Sequence, residues 1–326
     1  WKLASTPQEF PEGKLVNDRA SGYNRALLAW YHIDPVFTRK MSQTPKHLRD
    51  EDVNNNYVRE IKETEIYKER QSGTGFDVPL TVLNIAYYPK ERGPYNFDTK
   101  GLPGISSGID EKGYLKNPET RWGGIMRDLQ TSTDFETSNI EYIEFWLMDP
   151  YFEDSIPRRG GDLYFNLGEI SEDILRDSRK SFENGLPTSD SLYGVDKTAW
   201  GFVPRGPSLV NAFDNNPLTR KYQDVGLDGV RNDIERIFFN DYLVELASVI
   251  DTNSTNFKKI KEDPSGDNFR YYLDKYYDEN QTSVLGRYKY YNGIDGNSPS
   301  SEQTGGQVMA STTLPDAEDI NQDNNL

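Results

Sequence analysis

NIEYIEFWLMDPY (residues 139–151) and GGDLYFNLGEISED (residues 160–173) carry the clearest strand patterns of the chain. In the first, Ile143, Phe145 and Leu147 fall on one face of an extended strand, and Tyr142, Trp146 and Met148 on the other. The run is too short to cross a bilayer as a helix. The second alternates: Leu163, Phe165 and Leu167 point one way, Asp162, Tyr164 and Asn166 the other. The link DPYFEDSIPRRGG is rich in turn formers. A buried strand, a turn-rich link and a half-buried strand predict an α+β, mainly β chain. Its expected frame is an antiparallel jelly-roll-like β-sandwich with a few helices and long loops. Ile143, Phe145, Leu147, Leu163, Phe165 and Leu167 are expected to be buried together on neighbouring strands, with Trp146 also in the core.

Outward from this pair the pattern weakens. Residues 1–17 are rich in Pro, Gly and charge and read as extended. RALLAWYHIDPVF (25–37) is a compact apolar piece closed by Asp34-Pro35. Thr44-Pro45 reads as a helix start, the helix running to Asp52 and ending at Asn54, Asn55 and Asn56. Residues 57–66 can resume it, with Tyr57, Ile61 and Glu65 on one face. VPLTVLNIAYY (78–88) is the best early strand, bounded by GTG and PKERGP. Residues 96–120 read as a long Gly/Pro-rich loop over the sheet, and 124–129 as a short strand. Ser171 is a candidate N-cap for a helix stopped at Asn184-Gly185, with Ile174, Leu175 and Phe182 as its apolar face. Residues 188–228 read as loop. The strongest helix is 232–250, with Ile234, Ile237, Phe238, Tyr242, Leu246, Val249 and Ile250 in one stripe. From Asp251 the chain reads as polar, Tyr-studded loop, and beyond Asn297 as a poorly ordered tail.

Composition narrows the function classes. The 326 residues permit one large domain or two. A formal charge of -16 and a pI near 4.7 disfavour nucleic acid and anionic lipid surfaces as partners. An acidic surface of this kind is a solubility device. With no Cys there is no disulfide frame, zinc knuckle or thiol nucleophile. The 21 Tyr and 15 Phe argue against wholesale disorder. No run approaches the roughly 20 apolar residues of a membrane helix, and no series of barrel strands is visible. The opening WKLASTPQEFPEG, without Met or signal peptide, reads as a cut or cleaved boundary.

The chemistry candidates are weak. Gly104-Ile105-Ser106-Ser107-Gly108 matches the G-x-S-x-G elbow, but its neighbours are turn-like where a strand and a helix are required. His32 and His47 are the only histidines, both far upstream. Glu141 and Glu144 sit on opposite parities of one strand and face apart, so a satisfied or rim carboxylate is the preferred reading. Asp316, Asp319, Asn321, Asp323 and Asn325 are spaced like oxygen ligands of a calcium loop, but lack its Gly and distal Glu. Asp224 to Gly229 reads as an ordinary Asx turn. Trp122, Trp146, Trp200 and the doublets Tyr271-Tyr272, Tyr276-Tyr277 and Tyr290-Tyr291 could stack on sugars. If extended, each doublet puts one ring inward. No catalytic, cofactor or metal residue is therefore assigned.

ERGPYNFD (91–98), RWGGIMR (121–127), NIEYIEFWLMDP, YFNLGEISEDIL, FENGLP and the ending TTLPDAEDINQDNN resemble the SprA/Sov family of Bacteroidota. The resemblance runs from LAWYHIDPVF (28–37) to the C-terminus. That family supplies the giant outer-membrane translocon of the type IX secretion system and is linked to gliding motility in some members. The resemblance implies a non-enzymatic, soluble insertion on the extracellular face of the outer membrane, helping to cap or gate a wide pore. Implied partners are other segments of the parent barrel protein, secretion-system subunits and secreted cargo, with no cofactor. The expected layout is an N-terminal segment 1–77 packed on a sandwich domain 78–297, then an acidic tail 298–326. The alternative is a carbohydrate-binding module of a cell-surface protein; a hydrolase ranks last.

Overall fold

The computed structural model describes residues 1–70, 77–129, 131, 133–155, 160–183, 194–205, 216–220, 222–223, 226–291, 316–321, 323 and 325–326. Its strands are β1 (Lys2–Leu3), β2 (Ala26–Tyr31), β3 (Asn84–Arg92), β4 (Ile125–Met126), β5 (Phe182–Glu183), β6 (Val195–Lys197), β7 (Phe202–Pro204) and β8 (Asp316–Ala317). They pair antiparallel as β1-β4, β2-β3, β5-β8 and β6-β7, each a two-stranded sheet. The fold is therefore mixed α and β with small sheets, and no sandwich or jelly roll is formed among the described residues.

The organising strand is β2. Its sequence ALLAWY is buried at every position. Ala26 packs in one apolar cluster, Ala29 and Tyr31 in a second, so the strand has a core on each side. That is why it is a continuous apolar run rather than an alternating one. It pairs with β3 from Leu27↔Tyr88 to Tyr31↔Asn84, with a bulge between Ala26 and Leu27. The predicted strand at 78–88 thus begins later and ends later.

The first core gathers Phe97, Leu175, Trp200, Phe239, Tyr242 and Leu246 around Ala26. Phe97 lies 4.5 Å from Phe239 and edge-on to Tyr242. The second is a tyrosine stack. Tyr31 and Tyr288 lie 4.4 Å apart nearly parallel, and Tyr272 stacks on Tyr288 at 5.0 Å. Tyr277 and Tyr291 are buried while Tyr276 and Tyr290 are exposed, though Tyr276-Tyr277 is helical and neither doublet lies in a strand. Tyr271 and Tyr272 are both half-buried.

The helices are α1 (Pro35–Thr38), α2 (Asp50–Val53), α3 (Glu63–Ile66), α4 (Pro217–Arg220), α5 (Asn232–Phe238), α6 (Asn240–Ala247), α7 (Thr255–Glu262), α8 (Lys275–Glu279) and α9 (Val284–Arg287). None of the described helices is long and apolar enough to cross a membrane. The predicted helix 232–250 is two, α5 and α6, broken at Phe239. Ile237, assigned to the stripe, is 73% exposed. Thr44 starts no helix; its hydroxyl donates to the Val36 carbonyl. Residues 57–66 are helical only in α3. After Asp251 the predicted loop is instead α7, α8 and α9, each opened by a side-chain cap from Ser254, Asp274 or Ser283.

The segment 96–120 is not a loose cover. Asn96, Phe97, Asp98, Ile109 and Leu115 are buried. Asp98 accepts from the Gly101 and Gly108 amides, and Arg121 closes on it at 3.3 Å with both side chains fully buried. Of the predicted loop 188–228, residues 188–193 and 206–215, including Leu192, lie outside the described residues, while Val195 and Phe202 sit in β6 and β7.

The expected central strands are the main correction. Every residue from 136 to 155 and from 160 to 170 is exposed, including all six expected core residues, and Trp146 is 71% exposed. Neither segment is helical, 141–148 and 160–167 run without turn or bend, and Phe145 does meet Phe165 at 5.0 Å. No backbone hydrogen bond is made by residues 141–148 or 160–170. Without a ladder to neighbouring strands, no sheet exists to bury either face.

Candidate functional site

Directly after the exposed arm the chain enters a buried loop, 171–183, where Ser171 was expected to start a helix. It does not: the Ser171 hydroxyl accepts from the Asp173 amide, and Arg176 and Ser178 adopt φ of 55° and 57°. Asp173 organises the turn. Its two oxygens accept from the Asp177 amide at 3.0 Å and the Ser178 amide at 2.9 Å. These bonds satisfy the backbone locally in place of helical ones. Asp177 in turn accepts from the Arg179 amide at 2.9 Å.

The C-terminal segment plugs this loop. Glu318 is fully buried, and its carboxylate accepts from the Leu175 amide at 2.9 Å and the Ser181 amide at 3.0 Å. Its own amide bonds the Ser181 carbonyl, extending the β5-β8 pairing. Asp319 pairs with Lys180, and Glu172 accepts from the Ile320 amide. One oxygen each of Asp173, Asp177 and Glu318 lies within 4.8 Å of the others. Burial, then the charge of Asp173, pushes the Glu318 carboxyl up to about 8. Burial likewise pushes Asp177 up to about 6, aided by Asp173 and opposed by the Arg179 amide. Three buried carboxylates this close can share protons or take a hard divalent cation. The tail was predicted to be solvated or poorly ordered; Glu318 and Asp319 are buried instead. The predicted calcium set is not gathered. Asp319 points at Lys180, while Asn321, Asp323 and Asn325 are exposed, the first two accepting amides of the next turn. Asp316 lies in β8.

A second buried triad, Asp228, Glu235 and Asp267, sits between α5 and the segment after α7. Glu235 accepts from the Ser265 amide, Asp267 from the Tyr95 hydroxyl, and Asp228 from the Val230 amide. The last bond is the Asx turn expected there. A Cβ on Gly226, at φ 115°, would stand 1.9 Å from the Asp267 carboxylate, so only glycine fits. Neither triad was found from sequence. The signal was present as SED…D at 171–177 and AED at 317–319. It was absorbed by the helix reading of the first and the solvated-tail reading of the second.

The other candidates stay apart. Ser106 accepts from the Leu102 amide, while His32 and His47 lie against the Val82 and Thr282 carbonyls. Glu141 and Glu144 are exposed, not rim or buried carboxylates. Trp200 is core and Trp122 is half-buried beneath the Arg25 guanidinium. Among the described residues, the arm carries the longest run of exposed apolar side chains. Its described residues hold seven acids, Glu141, Glu144, Asp149, Glu153, Asp154, Asp162 and Glu169, and no base; Arg158 and Arg159 lie outside the described residues. Its turn touches the body where Tyr57 donates to the Pro150 carbonyl and Asn56 to Glu153.

Residues 241–326 match the family SprA_N, described as motility related/secretion protein. This match, over the C-terminal part of the chain, supports the resemblance to the SprA/Sov family. The SprA_N segment runs from α6 to the C-terminus and contributes Glu318 to the buried junction and Asp267 to the second triad. No curated protein matches the chain.

Proposed function

We propose that this chain is a soluble insertion of a SprA/Sov-type outer-membrane secretion translocon, on the surface side, that helps to cap or gate the pore. It works by packing against other segments of the same protein and against secretion-system subunits, and it carries no catalytic activity. The SprA_N match over residues 241–326 carries this reading, because it ties the chain to motility and secretion. The bare arm supports it: an apolar surface of this extent marks an interaction site. Deleting residues 139–170 from the intact protein is expected to impair secretion or leak solutes across the outer membrane. Normal secretion and normal permeability in that strain overturn the reading. The absence of catalysis has its own test: ester, peptide or glycoside turnover abolished by Ser106→Ala would contradict it.

One observation favours the carbohydrate-module alternative. Tyr142, Trp146 and Tyr164 are all more than two-thirds exposed, and exposed aromatics stack on sugars. A lectin-like platform, however, buries the opposite face of its sheet. Here Phe145, Leu147 and Phe165 on the opposite parity are exposed as well, each by more than half. Robust binding of the chain on a glycan array, lost in Trp146→Ala, together with normal secretion after arm deletion, would select the alternative.

A further inference from the structure

We infer that the exposed segments 141–148 and 160–167 are acceptors for strand addition, completed by one or more β-strands of a protein partner that alternate apolar and basic residues. Three observations converge. The first is the backbone. Residues 141–148 and 160–167 are free of helix, turn and bend, yet none of the amides or carbonyls of 141–148 and 160–170 is hydrogen-bonded, even to each other. An extended apolar segment whose N–H and C=O groups are all open is a template for another strand.

The second is the side chains. Both parities are apolar and both are bare: Phe145 and Phe165 touch on one side, while Trp146 and Tyr164 stand free on the other. A surface needing cover on one face alone could take a helix or a flat ligand. Two bare faces and open edges require a sheet to be built around the arm. The alternation read from the sequence is then the pattern of strands awaiting that sheet.

The third is charge. Residues 141–148 and 160–170 carry four acids, Glu141, Glu144, Asp162 and Glu169, and no base; Arg158 and Arg159 fall in the link between them. A second copy of the chain would bring the same acids opposite them, and like charges across a strand pair destabilise it. An anionic bilayer is repelled for the same reason. A two-stranded arm inserted in hydrocarbon would also leave its outer edges unsatisfied. A strand with Lys or Arg between its apolar residues meets all three demands.

The inference stands on the arm's geometry and does not need the translocon reading, which the deletion strain tests separately. The experiment is amide hydrogen exchange on the full 326-residue chain, alone and with synthetic peptides. The probe is a peptide of about ten residues, a typical strand length, alternating Val or Tyr with Lys. Exchange at residues 141–148 and 160–170 is expected to slow about tenfold or more. The same peptide with Glu in place of Lys, or N-methylated along one edge, is expected to give no protection. Leu147→Pro and Phe165→Pro are expected to abolish protection without moving the melting temperature, since both positions lie outside either core. Arm amides already slow in the free chain overturn the inference. So does protection that ignores peptide charge or N-methylation. Protection by phosphatidylglycerol vesicles, by oligosaccharides, or by a concentration-dependent dimer, in place of the basic peptide, also rejects it.

Discussion

Arg121 shows how one side chain can hold a long irregular segment. Its guanidinium donates to the carbonyls of Tyr23, Gly108 and Lys116, to the Asn24 side chain and to Asp98. Asp98 meanwhile accepts from two loop amides. Every strong group is paired, so the buried charge is tolerated. Arg121→Ala leaves Asp98 buried without its counter-charge and is expected to cost about 3–5 kcal/mol, read as a lowered urea midpoint at unchanged slope. Arg121 was legible only as part of RWGGIMR, because sequence does not say which carbonyls converge on a guanidinium. Phe145 makes the opposite case. Its alternation was plain, but the partner strands that would bury it are not among its contacts. Phe145→Ala is therefore expected to change stability by no more than about 0.5 kcal/mol. A loss of several kcal/mol would show that the arm is buried in the free chain.

Among the elements, legibility followed the number of residues that share one environment. ALLAWY was readable as an apolar piece because all six positions are buried, Ala26 in one core and Ala29 and Tyr31 in the other. Helices α7, α8 and α9 were not, because each buries only one or two residues and is announced by its cap alone. The break between α5 and α6 was hidden by a stripe that looks continuous. Phe239 shares the face of Tyr242 and Leu246 and is fully buried, while Ile237 lies at the edge of the stripe and faces solvent. Phe239→Ala removes a ring packed on Phe97 and Phe238 and is expected to cost about 3–5 kcal/mol. Ile237→Ala is expected to stay within about 0.5 kcal/mol. Paired denaturation curves decide it, and an inverted order would show that Ile237, not Phe239, packs in the core.

At the scale of the whole molecule, the loop 171–183 joins segments far apart in sequence. Ser5 donates to the Ser171 carbonyl, the Asn17 amide to the Arg176 carbonyl, and Leu175 and Ser181 to Glu318. The N-terminal segment, the foot of the arm and the C-terminal segment therefore meet around one carboxyl group. Sequence could not show this, because 143 residues separate Leu175 from Glu318. The junction has a consequence for pH. The Glu318 carboxyl, ordinarily near 4.5, is held at about 8 in the fold. Above 4.5 the unfolded chain has released a proton that the folded chain keeps, so folding takes one up and rising pH works against it. The contribution is complete below 4.5 and is lost as pH rises through about 8. Asp177 has the same sign, but its window closes near 6. Between pH 6 and pH 8 the slope is thus expected to come chiefly from Glu318, with the melting temperature falling and residues 316–326 becoming open to proteolysis at the upper end. Glu318→Gln carries no titratable proton and keeps one carbonyl for the Leu175 or Ser181 amide, so its melting temperature is expected to be flat across that interval. A wild-type chain equally stable at both ends, or a variant that keeps the full slope, would mean that the junction is not held by a proton on Glu318.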